Sequence, residues 1–216
     1  MKRERVEDNK KVVAKKRRLD LGKELVRACD EGDIKAVKLL LHKKACVNAK
    51  DEWGWTPLHD ACLEGHTTTV KLLLHKKADA GVKDHDEWTP LHSACRGGHA
   101  AIVRLLLDKK ASVGANDEGG LTPLHWACAE GYTPVVMVLL DKKASVDAKD
   151  GYGDTPLDYA CTNKELVQLL KTNDERQRLI MVKWMKRHLS TIFNKGSQYD
   201  TTGLVSPFLT ICSQYM

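Results

Sequence analysis

Thr56-Pro57-Leu58-His59 returns as Thr89-Pro90-Leu91-His92, as Thr122-Pro123-Leu124-His125 and, with one change, as Thr155-Pro156-Leu157-Asp158. The copies follow one another at a constant 33-residue interval. Self-similarity at a fixed period of this length marks an array of one supersecondary unit rather than a single layered core. One further step back from Thr56 in the same register reaches Lys23, where Glu24-Leu25-Val26-Arg27-Ala28-Cys29 keeps the apolar rhythm without Thr-Pro, as suits an edge unit.

One unit, residues 51–83, shows what the repeat encodes. Thr56 suits a helix N-cap, since its hydroxyl can accept from an orphan amide, and Pro57 at the first helical position gives up no needed donor. Leu58, Ala61 and Cys62 recur at helical spacing and form one apolar stripe. Gly65 ends that short helix in the turn Glu64-Gly65-His66, and a second stripe through Val70, Leu73 and Leu74 runs to His75, so two antiparallel helices are expected. No helix is supported between Ala78 and the next Thr-Pro. Gly54 supplies the positive φ of the turn before Trp55. A unit this small cannot bury its own apolar face, so the units must stack.

With this period and this T-P-L-H-x-A core, the chain resembles the ankyrin repeat family over about residues 20 to 172. The resemblance implies an all-α solenoid of about five helix-turn-helix units with hairpin fingers. The expected units are 20–50, 51–83, 84–116, 117–149 and 150–172, after a basic N-terminal segment 1–19 and before a capping helix 173–195 and a tail 196–216. Three departures stand out. Lys44, Lys77, Lys110 and Lys143 occupy the left-handed position after the second helix where the family usually has Gly, which implies a strained cap in every repeat. Glu87 stands where Gly54, Gly120 and Gly153 stand in neighbouring turns, so a tighter or differently shaped turn is expected before Trp88. Lys164 replaces the inter-helix glycine in the last unit, which therefore reads as a closing repeat.

Composition excludes several classes. With 42% hydrophobic and 30% charged residues, the 216-residue chain is neither collagen, a disulfide miniprotein nor wholly disordered. Its apolar runs, such as Leu39 to Leu41, fall far short of the roughly 20 residues a membrane span needs. Met1-Lys2-Arg3-Glu4-Arg5 leads into more charge, so no secretory signal is read and an intracellular, cytoplasmic or nuclear protein is expected. Residues 1–21 hold nine basic and four acidic side chains, 22–172 hold 20 and 22, and 173–216 hold six and three. The repeats are thus nearly neutral, which argues against direct nucleic-acid binding by the array.

Candidate chemistry mostly dissolves into the repeat. Cys29, Cys62, Cys95, Cys128 and Cys161 share the 33-residue register and read as packing residues, spaced at the roughly 10 Å of packed helices, too far for a disulfide or a shared metal. His59, His92 and His125 are the fourth residue of the signature, which in the family ties one unit to the next. No H-x-x-x-H, C-x-x-C, P-loop, dinucleotide fingerprint or nucleophile elbow is present, so no enzyme, cofactor, metal or small-molecule substrate is expected.

What remains is surface. In ankyrin proteins the turn tips and the open side of the first helices line a concave groove for partners. Trp53, Trp55, Trp88 and Trp126 fall on those variable positions, with Tyr152 and Tyr159 at the far end and Leu63, His85, Arg96 and Leu121 beside them. Exposed aromatics with Arg are the usual anchors of interfaces. The reading is a monomeric, non-catalytic adaptor or scaffold for another protein. Two alternatives stay open. Lys2 and Arg3 with Lys15, Lys16, Arg17 and Arg18 resemble a bipartite nuclear localisation signal, which would suit a transcription-complex subunit or inhibitor. Met181, Trp184, Met185, Leu189, Ile192 and Phe193 oppose Lys183, Lys186 and Arg187 on the helix expected after the repeats, which would suit a membrane or calmodulin. The lysine pairs Lys43-Lys44, Lys76-Lys77, Lys109-Lys110 and Lys142-Lys143 form a ladder that favours helix C-termini and offers an acidic partner an edge.

Overall fold

The computed structural model describes residues 19–160 and 163–172. Lys2, Arg3, the cluster Lys15 to Arg18, Cys161 and everything from residue 173 onward lie outside the described residues. Those described form ten helices and no strand. They are α1 (residues 19–30), α2 (Ile34–His42), α3 (Pro57–Leu63), α4 (Thr67–His75), α5 (Pro90–Arg96), α6 (Ala100–Asp108), α7 (Pro123–Ala129), α8 (Thr133–Asp141), α9 (Pro156–Tyr159) and α10 (residues 164–172). The first helices α3, α5, α7 and α9 pack side by side, the second helices α2, α4, α6 and α8 form a layer behind them, and α3, α5 and α7 each pack on their own second helix. This is the all-α solenoid the 33-residue period calls for.

Burial follows the register. Leu58, Leu91 and Leu124, then Ala61, Ala94 and Ala127, and on the second helices Val70, Val103 and Val136, are all sealed from solvent. Each such leucine contributes about 2 kcal/mol by leaving water. Cys29, Cys62, Cys95 and Cys128 are free thiols inside the same core. Burial pushes the Cys29 and Cys128 thiols up to about 12, so neither sulfur is a nucleophile at neutral pH.

Histidine locks the units together. In α3 the Thr56 hydroxyl (2.9 Å) and the Thr56 backbone N–H (3.1 Å) both meet Nδ1 of His59, completing a capping box. Because Nδ1 accepts, the proton sits on Nε2, which donates to the Trp88 carbonyl of the next unit at 3.2 Å. His92 reaches the Leu121 carbonyl and His125 the Asp154 carbonyl in the same way, each at 3.2 Å. A second set points backward, from His66 Nε2 to the Asp30 carbonyl and from His99 Nε2 to the Leu63 carbonyl. The His99 ring lies so close over Gly65 that a Cβ there would collide with it.

The second helices end as expected. Lys44, Lys77, Lys110 and Lys143 take φ of 64°, 65°, 67° and 63°. The alanine after each lysine donates back to a helical carbonyl, Ala111 N–H to Leu106 for example, in a Schellman motif. Two expectations need correction. Glu87 does not reshape its turn: its φ of 62° is the left-handed conformation of Gly54, held because Oδ1 of Asp84 accepts from the Asp86 and Trp88 amides. Lys164 is not a substitute for the inter-helix glycine. The last unit is shorter there: carried forward from Tyr132, the N-cap of α8, the register falls on Glu165, whereas the residue that caps α10 is Asn163, which accepts from the Glu165 and Leu166 amides.

Candidate protein-binding surface

Between each second helix and the next first helix the chain forms a finger built on one aspartate. Oδ1 of Asp51 accepts from Trp53 and Trp55 N–H, that of Asp117 from Leu121 N–H, and that of Asp150 from Tyr152 and Asp154 N–H, all between 2.8 and 3.0 Å. Neighbouring fingers are stitched by one backbone bond each: His85 N–H to Trp53 O, Glu118 N–H to Asp86 O, and Gly151 N–H to Gly119 O. Fixed fingers therefore present the side chains at their tips in a regular row beside the first helices.

The second carboxylate oxygen divides the array. Oδ2 of Asp117 accepts from the indole N–H of Trp126 (2.9 Å) and of Trp88 (3.1 Å), and Oδ2 of Asp150 accepts from the Tyr159 hydroxyl at 2.7 Å. That bond pushes the Tyr159 phenol up to about 12. Trp126 and Tyr159 each stand nine residues after their finger aspartate. In the two preceding units that position is Asp60 and Ser93, and Oδ2 of Asp51 and of Asp84 has no hydrogen-bond partner among the described residues. Asp60 Oδ2 and Ser93 Oγ are themselves buried without a partner. Burial, with Asp30, Asp51 and Glu64 adding repulsion, pushes the Asp60 carboxyl up to about 7.

The structure brings four of the sequence-assigned residues together. Trp55 and Trp88 stack at 6.4 Å, Trp88 and Trp126 meet edge to face at 4.9 Å, and the Arg96 guanidinium lies 5.5 Å from the Trp88 ring and 5.8 Å from Trp126. With Asp84 and Asp86 they line an open recess of about 270 Å³. Trp88 is only 8% exposed, so its ring is part of the frame rather than a free anchor. Trp126 also has a structural partner in Asp117, which accounts for an aromatic there. Trp53 (65% exposed) and Tyr152 (89%) stand open at the finger tips, and His85 is exposed beside them. Leu63 and Leu121 are half-buried, and their backbones are engaged by His99, His92 and Asp117. Sequence reasoning missed Asp84, Asp86 and Asp117, although Asp51, Asp84, Asp117 and Asp150 keep the same 33-residue register as plainly as the cysteines.

Other candidates lie elsewhere. Lys142 of the basic ladder is paired with Asp108 one unit earlier at 2.8 Å, which holds that carboxyl below its usual range. Among the described residues no three His, Cys, Asp or Glu side chains are placed to hold a metal, and no helix is long and apolar enough to cross a membrane.

The family model described as "Ankyrin repeats (3 copies)" matches residues 25–117 and 109–178. A mouse (Mus musculus) protein, "2-5A-dependent ribonuclease", is 53% identical over 38 residues, a match covering 17% of this chain and 5% of the mouse protein. The repeat period, the two helix layers, the finger ladder and the match over well more than half of the sequence agree: the chain belongs to the ankyrin repeat family.

Proposed function

We propose that the chain is a non-catalytic interaction module that holds a protein partner on the face made by its fingers and first helices. The observation that carries this reading is the pair of solvent-open finger-tip aromatics, Trp53 and Tyr152, on the fingers to either side of a recess walled by Trp55, Trp88 and Trp126. Large rings held at low entropic cost on a rigid frame are what interface anchors need. The units 20–50 to 150–172 serve as the binding array, working as a monomer. The ribonuclease activity in the mouse protein's name is not transferred, because the match touches a twentieth of that protein.

Partner capture by the full chain tests the reading. Trp53→Ala and Tyr152→Ala, which remove exposed rings without disturbing the core, should weaken capture, each by up to about thirtyfold if the ring is an anchor of about 2 kcal/mol. A second reading, a nuclear address in the cluster Lys15 to Arg18, predicts that changing those four residues to Ala moves a tagged chain out of the nucleus while leaving capture intact.

A further inference from the structure

The recess beside Arg96 has a chemistry of its own. Three indole rings supply its walls, and two of them cannot drift, because Trp88 and Trp126 both donate their N–H to Oδ2 of Asp117. Ring faces held this way attract cations. A cation already lies against them: the Arg96 guanidinium, 5.5 and 5.8 Å from the two ring centres. Arg96 makes no ion pair among the described residues and is exposed on the last turn of α5, with its guanidinium lying against the two rings.

The charge around the recess is not balanced. Asp84 and Asp86 line it and Asp117 stands behind it, three carboxylates against one guanidinium. Asp84 is the telling one. It is only 7% exposed, its Oδ1 is committed to the finger turn, and its Oδ2 has no hydrogen-bond partner among the described residues. The corresponding Oδ2 atoms of Asp117 and Asp150 are filled by Trp126 and Tyr159, whereas in this unit the register counterpart is Ser93, whose own Oγ is buried without a partner. Oδ2 of Asp84 faces the open recess at the foot of aromatic walls, an acceptor with no protein donor among the described residues that suits a donor carrying positive charge.

We infer that this recess receives the guanidinium of an arginine side chain from a basic segment of the partner, and that Arg96 occupies the place until the partner arrives. The inference rests on the proposed binding face and names the chemistry of its central contact. A guanidinium satisfies both halves of the recess at once: its plane lies on indole, and its edge N–H groups reach Asp84 Oδ2 and Asp86. A lysine ammonium is more strongly hydrated and stacks poorly, and a trimethylated ammonium has no N–H to give Asp84. Displacing Arg96 costs little structure, because its long side chain swings from an exposed helix end.

Titration of the full chain with N-acetyl-arginine amide tests this, read from the indole N–H signals of Trp88 and Trp126 in nitrogen-15 correlation spectra. Saturable shifts of these two signals, weak or absent with the neutral isostere N-acetyl-citrulline amide and with N-acetyl-trimethyllysine amide, are expected. Asp84→Asn keeps the Oδ1 acceptor of the turn and should cut affinity about tenfold; if it fails to fold, Asp86→Asn, at an exposed position, should cut it several-fold. Arg96→Ala should raise affinity several-fold by vacating the recess. The inference is overturned if citrulline or trimethyllysine amide binds as well as the arginine probe, or if Arg96→Ala abolishes binding, which would make Arg96 itself the anchor for an acidic partner. The binding-face reading has a separate readout in Trp53 and Tyr152, outside the recess, so either can fail without the other.

Discussion

Acid should dismantle the array through its histidines. Nδ1 of His59 accepts from the Thr56 amide while Nε2 donates to the next unit, so protonation sets one N–H against another in a site closed to solvent. Burial, the largest cause, lowers the His59 imidazole from 6.5 to about 4, and lowers His92 and His125 for the same reason. Because the folded value lies below the unfolded one, the unfolded chain binds more protons between these pH values. The histidine contribution to stability is therefore fully present above about pH 6.5 and is lost as pH falls toward 4. For His59 the loss amounts to roughly 3 kcal/mol at 1.36 kcal/mol per pH unit, with His92 and His125 adding in the same direction. Asp60 works against this. Its carboxyl is raised from 3.8 to about 7, so the folded chain holds a proton the unfolded chain has released, and acidification restores stability across an overlapping range. Urea unfolding followed by circular dichroism between pH 7.5 and 4.5 separates the two. Asp60→Asn should raise the midpoint at pH 7.5 and make the acid loss steeper than in the parent. Adding His92→Gln, which can still accept the Thr89 amide, should make it shallower again. A midpoint in the Asp60→Asn chain that does not fall between pH 6.5 and 4.5 would refute the reasoning.

Lys110→Gly should stabilise the array by roughly 1 kcal/mol, since a residue with a Cβ at φ 67° carries a steric penalty that glycine avoids; a rise in melting temperature checks it. Trp88→Ala should cost about 3 kcal/mol or more, because the ring is buried and bonded to Asp117, in contrast to Trp53→Ala, which should move the melting temperature hardly at all. Alkylation of the folded chain at pH 8, mapped by mass spectrometry, should spare Cys29, Cys62, Cys95 and Cys128 relative to the half-buried Cys46 until urea opens the core.

The period and the apolar stripes made the fold legible, because packing between identical units repeats identical residues: Leu58, Leu91 and Leu124 are interchangeable in place and role. The strained lysine caps were legible for the same reason. The Glu87 turn was not. Whether a left-handed non-glycine residue is tolerated depends on the Asp84 hydrogen bonds that hold the turn, and those form only once the finger is folded. The length of the last unit was misread at Lys164, since register arithmetic does not see a shortened turn. At the candidate site, sequence reasoning found the aromatic residues but did not separate the frame from the open rings. Trp88 differs from Trp53 through its bond to Asp117 of the next unit, which no local pattern encodes. Trp126 is held by Asp117 of its own unit, nine residues earlier, a spacing that is readable only once the finger aspartate is recognised as a fixed point. The acidic half of the recess was overlooked because an aspartate at every finger reads as turn chemistry, and only the partners of each Oδ2 tell one finger from another.

A photo-crosslinking amino acid placed in turn at Trp53, Tyr152, Leu39 and Met137 tests the binding face most directly. All four side chains are more than half exposed, the first two at finger tips and the last two on the second helices α2 and α8. The account predicts that irradiation joins the partner to positions 53 and 152 and leaves 39 and 137 without adduct. Adducts at 39 and 137, with none at 53 and 152, would place the partner on the layer of second helices and contradict it.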